Sequence, residues 1–196
     1  MRTTSWVMAG LVVAIGAAGL FAWSASAVET PEYNVEIIDG AFELRRYPTQ
    51  VVATVTRDGD RSRAVSDSFR PLANYIFAKS RGGEKIAMTA PVTETLAGDG
   101  PVMSFTMPSA YAMDELPAPL DPDVTLHEIP ERTVAAVSFS GWATGGKIKR
   151  HTRELLATLE DRGIELAGDP SLNQYNPPWT PPFMRRNEII VEVRLN

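Results

Sequence analysis

Residues 42–59 read FELRRYPTQVVATVTRDG, and residues 124–141 read VTLHEIPERTVAAVSFSG. An offset of 82 aligns them without a gap, and six of the 18 positions are identical: Leu44/Leu126, Pro48/Pro130, Val52/Val134, Ala53/Ala135, Val55/Val137 and Gly59/Gly141. Each copy is followed by a stretch with helical character. One supersecondary unit used twice in a domain predicts two related halves around one core. Such halves leave a groove where they meet, and grooves are where small ligands bind.

The flanking segments extend this pattern. Residues 35–38 and 42–47 predict a hairpin turning at Asp39-Gly40, a strong short-range turn signal. Residues 51–56 alternate and are rich in β-branched side chains, which predicts the next strand. Within residues 61–79, Val65, Phe69, Leu72, Ala73 and Ile76 fall on one apolar stripe, the mark of an amphipathic helix. Pro71 is expected to kink that helix or delay its start, and Arg81-Gly82-Gly83 to end it. Residues 86–96 and 102–107 predict strands joined by Gly98-Asp99-Gly100, and the proline-rich 108–123 an irregular connection. In the second half, strands are expected at 124–129 and 133–139. A helix follows at 146–162, with Ile148, His151, Leu155, Leu156 and Leu159 on one side and a stop at Arg162-Gly163. Residues 168–184 hold five prolines and read as a loop, and 188–195 as the last strand. The expected class is α+β: a distorted antiparallel β-barrel of about eight strands flanked by two helices, with an internal pseudo-two-fold repeat, closure serving to hide strand edges.

Composition narrows the function. The chain has 196 residues, 44% of them apolar and 22% charged, the profile of one globular domain. Its net charge is −5, which argues against nucleic-acid binding through a basic surface. No polybasic run points to an anionic membrane. The absence of cysteine excludes disulfides, thiolate metal sites, Cys nucleophiles and covalent haem attachment. Arg2 is followed by an uncharged run from Trp6 to Trp23 and then by Ala25-Ser26-Ala27. This reads as a signal peptide over residues 1–27, cleaved after Ala27, or else as an uncleaved anchor. The folded domain is then 28–196, periplasmic or secreted and expected to be a monomer. It has no membrane contact unless the leader is retained.

Chemistry-bearing motifs are few. Residues 141–147 (GWATGGK) match G-x-x-x-x-G-K, but Ile148 stands where magnesium binding needs Ser or Thr. The equivalent loop of the first copy lacks those glycines. The strand is also predicted to be antiparallel, whereas nucleotide folds use a parallel unit, so the segment reads as a glycine-rich helix entry. Of the two histidines, His127 falls on the solvent side of its strand. His151 lies on the apolar helix face, as a core-edge residue or an axial haem ligand. No catalytic elbow, carboxylate pair or metal cluster is evident, so no catalytic or metal residue is assigned. Two segments look too specific for scaffold alone: 85–92 (KIAMTAPV) and 174–183 (QYNPPWTPPF), the latter followed by Arg185-Arg186-Asn187-Glu188. Rigid aromatics held among prolines suit the rim of a cleft for a flat apolar ligand, or the end of the barrel. Arg185 and Arg186 suit a ligand carboxylate, or an internal ion pair with a carboxylate such as Glu188.

These segments carry a family resemblance. YNVEIIDGAFELRRYPTQVVA, KIAMTAPV, MSFTMPSAY and QYNPPWTPPFMRRNEIIVEV together resemble the SOUL haem-binding proteins over essentially the whole chain after the leader. The resemblance implies the two-helix distorted barrel and non-covalent binding of haem or a related tetrapyrrole. Its pocket, carried over by position, points to Phe69, Leu72, Ala73 and Ile76 on the first helix and to Tyr175 in the proline loop. Some members carry methionines on that helix face, whereas none lies between Arg57 and Gly83 here; without an axial ligand, affinity is expected to be modest. The expected function is non-enzymatic tetrapyrrole binding outside the cytoplasm. The alternatives are a structural or protein-interaction module on the same fold and, last, an enzyme using the same groove.

Overall fold

The computed structural model describes residues 28–59, 61–79, 83–96 and 100–195. The leader (1–27), most of the first-helix stop and Gly98-Asp99 lie outside the described residues. The order of elements is β1 (Asn34–Asp39), β2 (Phe42–Tyr47), β3 (Gln50–Thr56), α1 (Arg61–Ile76), β4 (Val92–Thr95), β5 (Val102–Thr106), β6 (Thr125–Ile129), β7 (Arg132–Phe139), α2 (Gly145–Asp161), β8 (Glu165–Leu166), β9 (Ser171–Gln174) and β10 (Asn187–Arg194), with a single 3-10 turn at Pro182–Met184. The strands form one antiparallel sheet in the order β1-β2-β7-β10-β9-β4-β5-β3-β6, with β8 on β10. The α+β class and the flanking helices are as the pattern predicts. The sheet is a curled half-barrel, with β1 and β6 as its two ends.

The two copies meet by exchanging strands. β2 and β3 are joined by Pro48-Thr49 but do not pair with each other; β2 pairs with β7, and β3 with β6. Leu44 stands opposite Ala135, and Ala53 opposite Leu126. A shift of 82 turns Leu44 into Leu126 and Ala53 into Ala135, so the two ladders are one pairing with the copies swapped. Gly59 and Gly141, identical in the alignment, both sit at positive φ (98° and 90°), where a Cβ is disfavoured. Each redirects the chain from strand to helix.

Strand alternation divides the sheet into two faces. Ala53, Val55, Met103 and Phe105 pack under α1 with Leu72, Tyr75 and Ile76. Leu44, Ala135, Leu172 and Ile189 pack under α2 with Ile148, Leu155 and Leu159. Both helices therefore cover one face. The neighbours in sequence, such as Val52, Ser104, Thr106 and Val134, look into the concave side.

Three expectations change. The helix runs from Arg61 through Pro71 to Ile76, so the proline does not delay its start; Arg61 anchors its first turn to Glu94 on β4 at 2.5 and 2.6 Å. Only Val92–Thr95 of the strand expected at 86–96 joins the sheet. The backbone donors of its first half go elsewhere: Ile86 N–H to Ile76 O and Ala90 N–H to Glu29 O, both 2.8 Å. Residues 168–184 are not all loop, because Ser171–Gln174 forms β9 between β10 and β4. The glycine-rich helix entry is capped by Thr144, whose Oγ accepts from Lys147 N–H, while Lys147 Nζ donates to Ser140 O. The preceding strand, β7, is antiparallel to β2 and β10.

Candidate functional site

The five residues assigned from the resemblance occupy three environments. Leu72 and Ile76 are 0% and 1% exposed, inside the core under α1. Phe69 is 43% exposed and meets Phe105 edge-on at 5.4 Å. Ala73 is half-buried. One turn beyond Ala73, Phe77 is 40% exposed. Phe69, Ala73 and Phe77 follow i, i+4, i+8 spacing, so they form an outer strip along α1 and the turn that follows it. Tyr175 lies across the sheet, on the concave side. The structure brings Phe69 and Ala73 together and separates them from Tyr175 by the thickness of the sheet.

Tyr175 belongs to a buried charged cluster that strand alternation assembles on the concave face. Glu188 on β10 is completely buried and Arg45 on β2 is 1% exposed. Arg45 Nη1 and Nη2 donate to the two carboxylate oxygens of Glu188 at 2.9 Å each, the bidentate geometry that suits a guanidinium best. Tyr175 Oη donates to Oε2 at 2.7 Å, Ser138 Oγ to Oε1 at 3.1 Å, and Arg186 Nη2 to Oε1 at 2.7 Å. The Arg186 guanidinium also covers the Tyr175 ring, 4.1 Å from its centroid. Arg45 Nε reaches Glu43 at 2.7 Å, so two guanidiniums meet two carboxylates. Burial pushes the Glu188 carboxyl up, but the bonds and charge of Arg45, with Tyr175 and Arg186, more than reverse this and hold it at about 2. Burial, then the charge of Glu188, raises the Tyr175 hydroxyl. Neither group exchanges a proton near neutral pH, so the cluster is a charge lock.

The proline loop is pinned rather than open. Gly141 N–H donates to Pro182 O at 2.9 Å, and Asn187 Nδ2 to Gly141 O at 2.9 Å. Arg185 donates to the carbonyls of Thr180 and Pro178 and stacks on Trp142 at 3.9 Å. Of the two arginines, Arg186 makes the internal pair with Glu188, and Arg185 fastens the loop. Replacing Arg185 with Gln removes the stack and part of that fastening; limited proteolysis should then cut within 177–183 several-fold faster than in the wild type. His151 stacks on Phe139 at 4.4 Å, with Nδ1 2.7 Å from Glu154, and His127 is exposed on β6. Among the described residues no group of three or more His, Cys, Asp or Glu could hold a metal ion.

Sequence reasoning named Glu188 as a partner for the arginines but missed Arg45. The signal was alternation: in FELRRY, Arg45 shares a face with Glu43 and Tyr47, the face turned away from buried Leu44.

A curled antiparallel sheet with both helices on one face defines an α+β fold whose other face is concave. Residues 28–192 match the SOUL heme-binding protein family, and the chain belongs to that family. It is 33% identical over 152 residues to heme-binding protein 2 of Homo sapiens, covering 71% of this chain and 74% of that protein. The mouse heme-binding protein 2 is 32% identical over 149 residues (70% and 72%). Among solved structures, the C-terminal domain of EcmrR shares the fold with a TM-score of 0.62 at 14% identity, covering 84% of this chain and 99% of that one.

Proposed function

We propose that this chain binds haem or a related tetrapyrrole non-covalently, outside the cytoplasm, without catalysing a reaction. The observation that carries the reading is the outer strip of α1. Phe69 and Phe77 are 43% and 40% exposed with half-buried Ala73 between them, which offers a flat apolar ring a surface along the helix. Arg70, exposed beside the strip, suits a propionate carboxylate. The bound group would supply the iron and its redox or ligand chemistry. The protein would supply apolar contact worth roughly 25 cal/mol per Å² buried, less the cost of ordering. With apolar contacts dominant, the affinity is modest.

Titration of residues 28–196 with hemin should give a saturable Soret shift in the micromolar range. Ala73→Glu, which places a carboxylate on the strip between Phe69 and Phe77, should weaken binding about tenfold or more, equivalent to about 1.4 kcal/mol. Tyr175→Phe, on the other face of the sheet, should leave it unchanged. No saturable shift at micromolar hemin, or equal sensitivity to both substitutions, would overturn the assignment. Native mass spectrometry of the protein from its own envelope fraction tests the location: cleavage after Ala27 gives a chain beginning at Val28.

A second reading, a protein-interaction module descended by internal duplication, has its own support. Leu72 and Ile76 are packed into the core against Ala53, Val55, Met103 and Phe105 of β3 and β5. The proline loop displays Trp179 and Phe183 at 83% and 80% exposure. On that reading the hemin titration is featureless.

A further inference from the structure

The concave face opposite the helices holds a cavity of about 280 Å³, near the lower end of small-molecule pockets and on the other side of the sheet from α1. Its walls carry hydroxyls from three strands: Thr93 and Thr95 on β4, Ser104 and Thr106 on β5, and Ser171 on β9. Val52, Val134 and Ile190 supply apolar surface between them. Arg132, the first residue of β7, opens onto this space.

Arg132 differs from the other two guanidiniums on this face. Arg45 and Arg186 both pair with Glu188, and Arg45 pairs with Glu43 as well. Arg132 has one side-chain hydrogen bond, Nη2 to Gln50 Oε1 at 2.9 Å, and its Cζ lies 5.6 Å from the Tyr47 ring centroid. Its Nη1 is buried with no hydrogen-bond partner. Among the described residues no carboxylate comes within ion-pair distance of it. The carboxylates on the cavity wall, Glu192 and Asp169, are exposed and mark its mouth. Burial lowers the Arg132 pKa, partly offset by the charge of Glu192. A half-buried cation with one guanidinium nitrogen buried and unbonded, and no carboxylate in ion-pair range, is costly unless a ligand supplies a partner. Gln50 and Arg132 are also the same position in the two copies, 82 apart. They meet where the halves meet, and only one carries charge.

We infer that the concave cavity is a binding site for a small organic monocarboxylate, its carboxylate held by Arg132 and its body packed between the hydroxyl rows and Val52, Val134 and Ile190. The mouth carboxylates repel a second negative charge, so the far end of the ligand is neutral or cationic. The cavity lies on the opposite face of the sheet from α1, which makes this site independent of the α1 strip.

Benzoate is the probe, with benzamide as its neutral isostere and benzylamine as the cation. In heteronuclear NMR of residues 28–196, benzoate should shift the amides of Thr93, Thr106 and Asn173 saturably with a millimolar dissociation constant. Benzamide and benzylamine should bind at least tenfold more weakly. Arg132→Met should abolish the benzoate shifts and leave the hemin titration as in the wild type. If Arg132→Met does not fold, the contrast between benzoate and benzamide on the wild type decides alone. Equal binding of the two, shifts confined to the convex face, no saturable shift, or a folded Arg132→Met that binds benzoate normally would overturn the assignment.

Discussion

Glu188→Gln should lower the stability of the folded domain by about 3–5 kcal/mol, read as a lower urea midpoint at unchanged m-value. The substitution conserves shape but strands two guanidiniums. Arg186 is partly exposed (44%) and can turn to water. Arg45, at 1%, cannot, and keeps only Glu43 at 2.7 Å. Most of the cost is thus an uncompensated buried cation rather than a lost attraction. That distinction has its own consequence. The double variant Glu188→Gln/Arg45→Met removes the stranded charge and should be no less stable than the single one, a non-additivity expected of residues in direct contact. A single variant within about 1 kcal/mol of the wild type would mean that the pair contributes little beyond a surface ion pair.

The parts of the fold that were legible in the sequence are those set by local pattern. The Asp39-Gly40 hairpin, the alternating strands expected at 51–56 and 133–139, both amphipathic helices and the last strand all follow from short-range periodicity and turn chemistry. β9 was not legible. Ser171–Gln174 is four residues without a β-branched side chain, set among prolines, and it is a strand only because β10 and β4 flank it. Partnering was equally hidden: Pro48 separates β2 from β3, and nothing local says that each pairs with the other copy. The same limit divided the site. An apolar stripe on α1 was visible, but Leu72 and Ile76 differ from Phe69 and Ala73 by less than a helical turn, and only the placement of β3 and β5 decides which pair is core. Tyr175 was singled out as an aromatic. Its hydroxyl is committed to a glutamate 13 residues away on the next strand.

The stability lost in Glu188→Gln should itself be lost by the wild type in acid. The carboxyl stands at about 2 in the folded state against a reference of 4.5. The unfolded chain therefore binds the proton first as pH falls, and folding stability rises with pH across that interval. The contribution is complete above about pH 4.5 and disappears as pH drops toward 2, and each unit of pKa difference is worth about 1.4 kcal/mol. The window then carries about 3 kcal/mol from this one group. Urea denaturation of wild type and Glu188→Gln from pH 6 down to 2 isolates it, because every other carboxylate titrates in both proteins. The gap between the two stabilities should be constant above pH 5 and narrow by about 3 kcal/mol toward pH 2. Parallel curves would mean that Glu188 binds its proton equally well in the folded and the unfolded chain, so that Arg45, Tyr175 and Arg186 do not favour its ionised form.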